Sequence, residues 1–243
     1  MNLRNWLTNS PVFRQHIPAE KKDENSKVSL LGLQWDTLGD TLAVKAFKPA
    51  ESEYTLKKIL SATASIYDPL GFFAPVTVVA KMFVQDLQIA GASWDTHISP
   101  EKTESWSKLQ FSLQDVVGFP ITRPVLVTDD IYELHVFSDA SVRVYAAAAY
   151  ISSVRSEKVT LVFAKAKIVK PDLHTVPRME LLGILLAVRI LRNVRAAVKL
   201  QFEKQIVWSD STTALFWSKK YKTDVSLHSK SCQNYLRVPG HQT

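Results

Sequence analysis

Three carboxylates fall where they could share one chemistry. Asp139 stands in Phe137-Ser138-Asp139-Ala140-Ser141, Glu180 in Pro177-Arg178-Met179-Glu180-Leu181-Leu182, and Asp210 in Trp208-Ser209-Asp210-Ser211-Thr212. Each aspartate ends an apolar, β-like run at a Ser/Thr-rich turn, and the glutamate sits in the first turn of a long apolar helix. A single aspartate beside such a turn is usually a cap, because its side chain bonds nearby backbone N–H groups. An ordered trio on strand, helix and strand is harder to explain that way. Carboxylates that converge on one sheet edge repel one another unless cations intervene. An all-oxygen set suits Mg²⁺ or Mn²⁺, which prefer carboxylate, water and phosphate oxygens to imidazole or thiolate. Paired ions about 4 Å apart can activate a water and stabilise a leaving oxygen in phosphodiester hydrolysis. The candidate catalytic and metal-ligating residues are therefore Asp139, Glu180 and Asp210.

The elements that must position them can be read from periodicity. Tyr132 to Ser138, Val144 to Ile151 and Val159 to Val169 read as three strands joined by short polar turns, an antiparallel meander. Pro177 to Val198 reads as a long helix, apolar on nearly every side and so largely buried. Gln205 to Ser209 reads as a further strand and Thr212 to Lys219 as a short helix. The order β-β-β-α-β-α implies an α/β fold, a mixed sheet flanked by helices, over residues 131–243.

A different module precedes it. Val28 to Trp35 and Thr41 to Phe47 flank Asp36-Thr37-Leu38-Gly39-Asp40 as a hairpin would. Leu56, Ile59, Leu60, Thr63 and Ile66 recur at helical spacing until Asp68-Pro69-Leu70-Gly71, which opposes continuation. A second helix begins near Pro75 and runs to about Ala90. A third follows Ser99-Pro100 and places Trp106, Leu109 and Leu113 on one face. Residues 1–118 are thus expected to form a mostly helical module, with 119–130, which holds Pro120 and Pro124, as linker.

Bulk composition narrows the function classes. An apolar share of 46% fills a real core, and a charged share of 22% argues against wholesale disorder. The net charge of +7 favours a polyanionic partner. Cys232 stands alone, which excludes an internal disulfide framework and a thiolate metal cluster. The N-terminal Met1-Asn2-Leu3-Arg4-Asn5-Trp6 lacks a signal-peptide core, and the apolar run Phe72 to Ala80 is too short to span a bilayer. An intracellular protein, cytoplasmic or nuclear and without membrane contact, is the expectation; protein partners are left open.

Secondary features read mainly as surface. Lys219-Lys220-Tyr221-Lys222 has the basic, aromatic-interleaved character of a phosphate-tracking segment, and equally that of a solvated helix end. Lys165, Lys167 and Lys170 alternate on a strand, and Arg178 neighbours Glu180. His135 lies within a strand and reads as structural, and His241 as a terminal residue.

The acidic trio, its flanks and its order resemble the ribonuclease H domain of retroelement polymerases, and more closely the Pao/BEL class of long-terminal-repeat retrotransposon polyproteins. The resemblance extends to Leu31-Gly32-Leu33-Gln34-Trp35-Asp36, to Tyr67-Asp68-Pro69-Leu70-Gly71-Phe72-Phe73-Ala74-Pro75 and to Ala80-Lys81. It continues through Ala164-Lys165-Ala166-Lys167, Thr175-Val176-Pro177-Arg178-Met179-Glu180-Leu181 and Asp210-Ser211-Thr212-Thr213-Ala214-Leu215-Phe216-Trp217. It covers nearly the whole chain, in order. It implies a ribonuclease H-like fold preceded by a reverse-transcriptase thumb or connection. It also implies a two-metal site in which Asp139 bridges both ions while Glu180 and Asp210 each complete one. The implied cofactor is Mg²⁺ or Mn²⁺, the implied partner an RNA–DNA hybrid, and the implied reaction endonucleolytic cleavage of its RNA strand.

Three departures bear on that implication. The polymerase Tyr-x-Asp-Asp element is absent, since Asp129-Asp130 follows Val127-Thr128 in the linker, so no reverse transcription is expected from this chain. The family continues past a Val-Pro-Gly-like turn into Asn-Pro-Ala-Asp, whose aspartate is a fourth ligand. Here the sequence reads Val238-Pro239-Gly240-His241-Gln242-Thr243, so a C-terminally truncated domain with impaired cleavage is expected. The stretch Val225 to Tyr235 also looks shortened, leaving the last helix incomplete. A catalytically inactive retroelement remnant, binding nucleic acid or retaining no activity, is therefore the alternative to an active ribonuclease H. A DDE-type transposase fits less well, because there the glutamate comes last.

Overall fold

A computed structural model describes residues 5–23, 25–30, 32–45, 54–116, 118–123, 126, 130–170, 175–198, 200–218 and 226–229. The chain divides into two compact units, Met1–Pro69 with Pro75–Val125, and Leu70–Ala74 with Leu126–Thr243. Among the described residues no helix is long and apolar enough to cross a membrane.

The first unit holds α1 (Pro11–His16), β1 (Lys27–Leu30), β2 (Leu33–Asp36), β3 (Thr41–Val44), α2 (Leu56–Ser65), α3 (Ala74–Ile89), α4 (Pro100–Val116) and β4 (Ile121–Thr122). Thr55 caps α2, its hydroxyl accepting the Lys58 N–H at 3.3 Å. The α2 face of Leu56, Ile59 and Ala62 packs with Ala80, Val84 and Leu87 of α3 and with Trp106 and Leu113 of α4. This is the helical module the sequence implies, but it is not all helix. β1 to β4 form a four-stranded antiparallel sheet in that order. The run Val28 to Trp35 is two strands, because the chain reverses through Gly32 and pairs Leu30 with Leu33. The expected linker contributes β4, whose Ile121 pairs with Leu42. A two-residue strand carries no period, so sequence pattern cannot reveal it.

Asp40, in the β2–β3 turn, is the polar hub of this sheet. Arg123 donates to both its carboxylate oxygens, at 2.8 and 2.9 Å. The Trp35 indole and Asn9 amide donate as well, at 3.0 and 3.1 Å. The Arg123 fork outweighs partial burial and, with the Trp35 and Asn9 donors, holds the carboxyl at about 2, against an ordinary value of 3.8. The folded pKa lies below the unfolded one, so this contribution is complete above about pH 4 and is lost as the pH falls through about 2. Because Arg123 is 39% exposed, screening reduces the contribution to roughly 1–2 kcal/mol. Urea unfolding of the wild type and Asp40→Asn should differ by about that amount at pH 6 and converge toward pH 2.

The second unit holds β5 (Tyr132–Ala140), β6 (Val144–Ser153), β7 (Val159–Ile168), α5 (Val176–Val198), β8 (Phe202–Ser209), α6 (Thr212–Ser218) and β9 (Ser226–Ser229). The sheet order is β7-β6-β5-β8-β9. β7, β6 and β5 are antiparallel neighbours, and β8 lies parallel to β5 and to β9. This is the mixed α/β sheet the sequence implies, with β9 added; Ser-Leu-His-Ser has too little apolar character to announce a strand. Alternation along β5 buries Tyr132, Leu134, Val136 and Ser138 on one face. Leu186, Ala187, Ile190, Leu191 and Val194 of α5 pack on Leu134, Val136, Ala149, Ile151 and Val207.

β7 is an outer strand, and an exposed edge is a template for unwanted pairing. Here Leu70–Ala74 belongs to the same unit and lies along it: the Ala164 N–H donates to the Leu70 carbonyl at 2.8 Å. Gly71 has φ +75°, and a Cβ on it would run into the Ala164 carbonyl. Phe73 of the same segment is buried. The Pro-Leu-Gly block therefore does more than stop a helix.

Candidate active site

β5 and β8 run side by side in the same direction, with Val136 beside Val207 and Phe137 beside Trp208. Continuing that register by two residues sets Asp139 beside Asp210 at the C-terminal end of these two strands. The serines around them hold the backbone. Ser138, buried, donates to the Trp208 carbonyl at 3.1 Å and so ties the two strand ends together. Ser209 is buried and accepts the Ser211 N–H at 3.3 Å. Asp139 and Asp210 themselves are exposed.

α5 brings the third carboxylate. Gly183 lies against the Asp139 backbone and the Ser138 side chain, so that a Cβ there would stand 3.4 Å from the Asp139 carbonyl oxygen. One turn earlier, half-buried Glu180 accepts a hydrogen bond from the Ser211 hydroxyl. The same hydroxyl oxygen accepts the Ala214 N–H at 3.1 Å, capping α6. Thus Glu180 is bonded to the residue that directly follows Asp210.

The fold thus brings Asp139 and Asp210 to one end of the sheet and links Glu180 to it through Ser211. It does not gather the three into one ligating group. Among the described residues no three His, Cys, Asp or Glu side chains stand close enough to hold a metal ion together. Asp139 accepts the Ala140 N–H at 2.8 Å, and Glu180 is engaged with Ser211. Their donors are oxygen throughout, the kind that Mg²⁺ and Mn²⁺ prefer.

Next to the aspartates lies a polar lock that periodicity did not reveal. The Trp208 indole N–H donates to His135 Nδ1 at 3.1 Å. An indole only donates, so Nδ1 is the acceptor and Nε2 carries the proton, which it gives to Glu133 at 3.1 Å. Lys204 donates to the other Glu133 oxygen at 2.7 Å. Burial raises the Glu133 pKa, but the Lys204 and His135 hydrogen bonds prevail and hold the carboxyl below its ordinary value. Phe137 stacks on Trp208 at 5.9 Å and 11°. His135 is structural, as its place in a strand implies. Trp208→Phe keeps the stack and removes the N–H donor; urea unfolding should show a loss of about 1 kcal/mol.

The remaining features disperse. Lys165, Lys167 and Arg178 are exposed. Asp130 accepts hydrogen bonds from the Ser153 hydroxyl at 2.5 Å and the Ile131 N–H at 2.7 Å, a turn residue and not a ligand. Lys219-Lys220-Tyr221-Lys222, Asp129, Cys232, Tyr235, His241 and the Val238-Pro239-Gly240 turn lie outside the described residues.

No curated protein compared with the chain matches it. Among solved structures, the foamy viral protease-reverse transcriptase in complex with dsDNA is similar at a TM-score of 0.50 and 11% identity, over 88% of this chain and 47% of that one. The same enzyme in complex with an RNA/DNA hybrid gives 0.48 and 12%, over 91% and 32%. The chain therefore spans less than half the length of these structures, and at such identities the likeness concerns the fold alone. A family model, described as the Pao retrotransposon-like RNaseH-like domain, matches residues 55–211, more than half the chain and all three carboxylates. With a ribonuclease H-like sheet and its acidic residues in the order Asp139, Glu180 and Asp210, the chain belongs to the Pao retrotransposon-like RNaseH-like domain family.

Proposed function

We propose that this ribonuclease H-like protein hydrolyses the RNA strand of RNA–DNA hybrids at a divalent-metal site made by Asp139, Glu180 and Asp210. The observation that carries the reading is the placement of Asp139 and Asp210 at the same end of neighbouring parallel strands, with Glu180 bonded to Ser211. Family membership and the net charge of +7 support a nucleic-acid partner, as does similarity to an enzyme solved with dsDNA. Residues 1–118 would act as the thumb or connection-like module and 131–243 as the nuclease domain. Duplex binding would rest on backbone contacts and A-like shape rather than base sequence.

The three carboxylates would hold Mg²⁺ or Mn²⁺ by their oxygens. Such ions supply Lewis acidity, which favours deprotonation of the attacking water and neutralises charge on the phosphate. The chain's own part is placement. Ser138 and Ser209 fix the strand ends, while the exposure of Asp139 and Asp210 leaves them open to solvent and to a phosphodiester.

A second reading is a nucleic-acid-binding domain without hydrolysis. It is favoured by the lack of a three-residue ligating group among the described residues. One experiment decides between them: incubation of the protein with Mg²⁺ or Mn²⁺ and a hybrid labelled on its RNA strand. Metal-dependent cleavage that chelation stops, and that spares a DNA duplex, is expected. A rate no higher than that of Asp139→Asn leaves only the second reading.

A further inference from the structure

We infer that Ser211 is a positioning residue that fixes Glu180 relative to Asp210; the inference rests on the metal-site reading above. A serine hydroxyl has one proton to give and lone pairs to accept with. In Ser211 the proton goes to the Glu180 carboxylate, while the oxygen accepts the Ala214 N–H at 3.1 Å. Both capacities are engaged and the residue is buried, so the hydroxyl has one orientation. The Ser211 N–H is itself held by Ser209 Oγ at 3.3 Å. Asp210 therefore lies between two buried serines, and the second of them reaches across to α5. A hydrogen bond to a charged carboxylate is among the stronger kinds, and it ties the helix glutamate to the end of β8.

The consequence is for metal affinity rather than for the chemical step. Groups that orient a ligating carboxylate typically alter metal affinity 10–100-fold when removed. Ser211→Gly separates the two roles of the hydroxyl, since glycine is tolerated at a helix N-cap but gives Glu180 no proton. Ser211→Thr keeps both. Mn²⁺ binding, followed without substrate by the electron paramagnetic resonance of the free ion, should weaken roughly 10–100-fold in Ser211→Gly and stay near wild type in Ser211→Thr. In cleavage assays the Mn²⁺ concentration for half-maximal rate should rise by a similar factor, with the rate recovering at saturating Mn²⁺.

Mn²⁺ binding within twofold of wild type in Ser211→Gly would overturn the inference. So would an equal loss in Ser211→Thr, because then packing and not the hydroxyl is what matters. If Ser211→Gly does not fold, as judged by circular dichroism, Ser211→Cys replaces it as a weak donor of similar size. A wild type that binds Mn²⁺ but cleaves nothing sinks the nuclease reading and leaves the role of Ser211 to be decided by binding alone. A wild type that binds no Mn²⁺ overturns both.

Discussion

Replacing Asp139 by asparagine should reduce hybrid cleavage by about a thousandfold or more, roughly 4 kcal/mol of transition-state stabilisation, with little change in stability. The side chain is exposed, and it accepts the Ala140 N–H, a bond that an asparagine carbonyl accepts equally well. What the substitution removes is the negative charge where β5 and β8 end together. The neighbouring Asp210 and Glu180 keep their charges, so an incomplete oxygen set remains, with weaker attraction for a divalent ion. Circular dichroism and urea unfolding should therefore match wild type while cleavage collapses. A variant that cleaves at a tenth of the wild-type rate would show that Asp139 does not hold the metal.

Replacing Gly71 by valine should cost the second unit about 3 kcal/mol or more, or detach Leu70–Ala74 from β7. Two effects combine at this position. The φ of +75° is one that branched side chains adopt only under strain, and the Cβ would collide with the Ala164 carbonyl, which is backbone and cannot swing aside. Gly91 separates them: its φ is +73° but nothing lies within 4 Å of its would-be Cβ. Gly91→Ala should thus lose only about 1 kcal/mol. Hydrogen exchange at the Ala164 amide, whose N–H donates to Leu70 at 2.8 Å, reports detachment directly. Protection at Ala164 that survives Gly71→Val, together with unchanged urea unfolding, would refute the edge-covering role.

The helices were the most legible part of the sequence. Leu56, Ile59 and Thr63, or Trp106 and Leu113, recur at the period of a helix, and burial followed that period. The apolar surface of residues 177–198 likewise foretold α5, but the helix is not largely buried as expected: one face packs on β5 while Leu181 and Leu185 are exposed. Strand spans were nearly as clear where alternation was long, as in β5 and β6. β4 and β9 escaped notice because two or four residues carry too little pattern to be distinguished from loop. Residues 70–74 were legible as a helix stop and not as the cover of β7, since nothing local in Leu-Gly-Phe-Phe names a strand elsewhere in the chain.

Sequence alone determined the identities and order of Asp139, Glu180 and Asp210, the kind of element each ends or opens, and an oxygen-only donor set. Those properties are local: residue type, short-range period and turn chemistry set them. Only the tertiary structure decided which strand lies beside which, and so that Asp139 and Asp210 share one end of the sheet. It also decided that Ser211 answers Glu180 and that Trp208 answers His135. Such pairings depend on the register of a parallel strand pair joined through α5, and register is set by packing and hydrogen bonding between residues far apart in the chain. The serines flanking each aspartate were visible from the start, but only the fold showed what their hydroxyls hold.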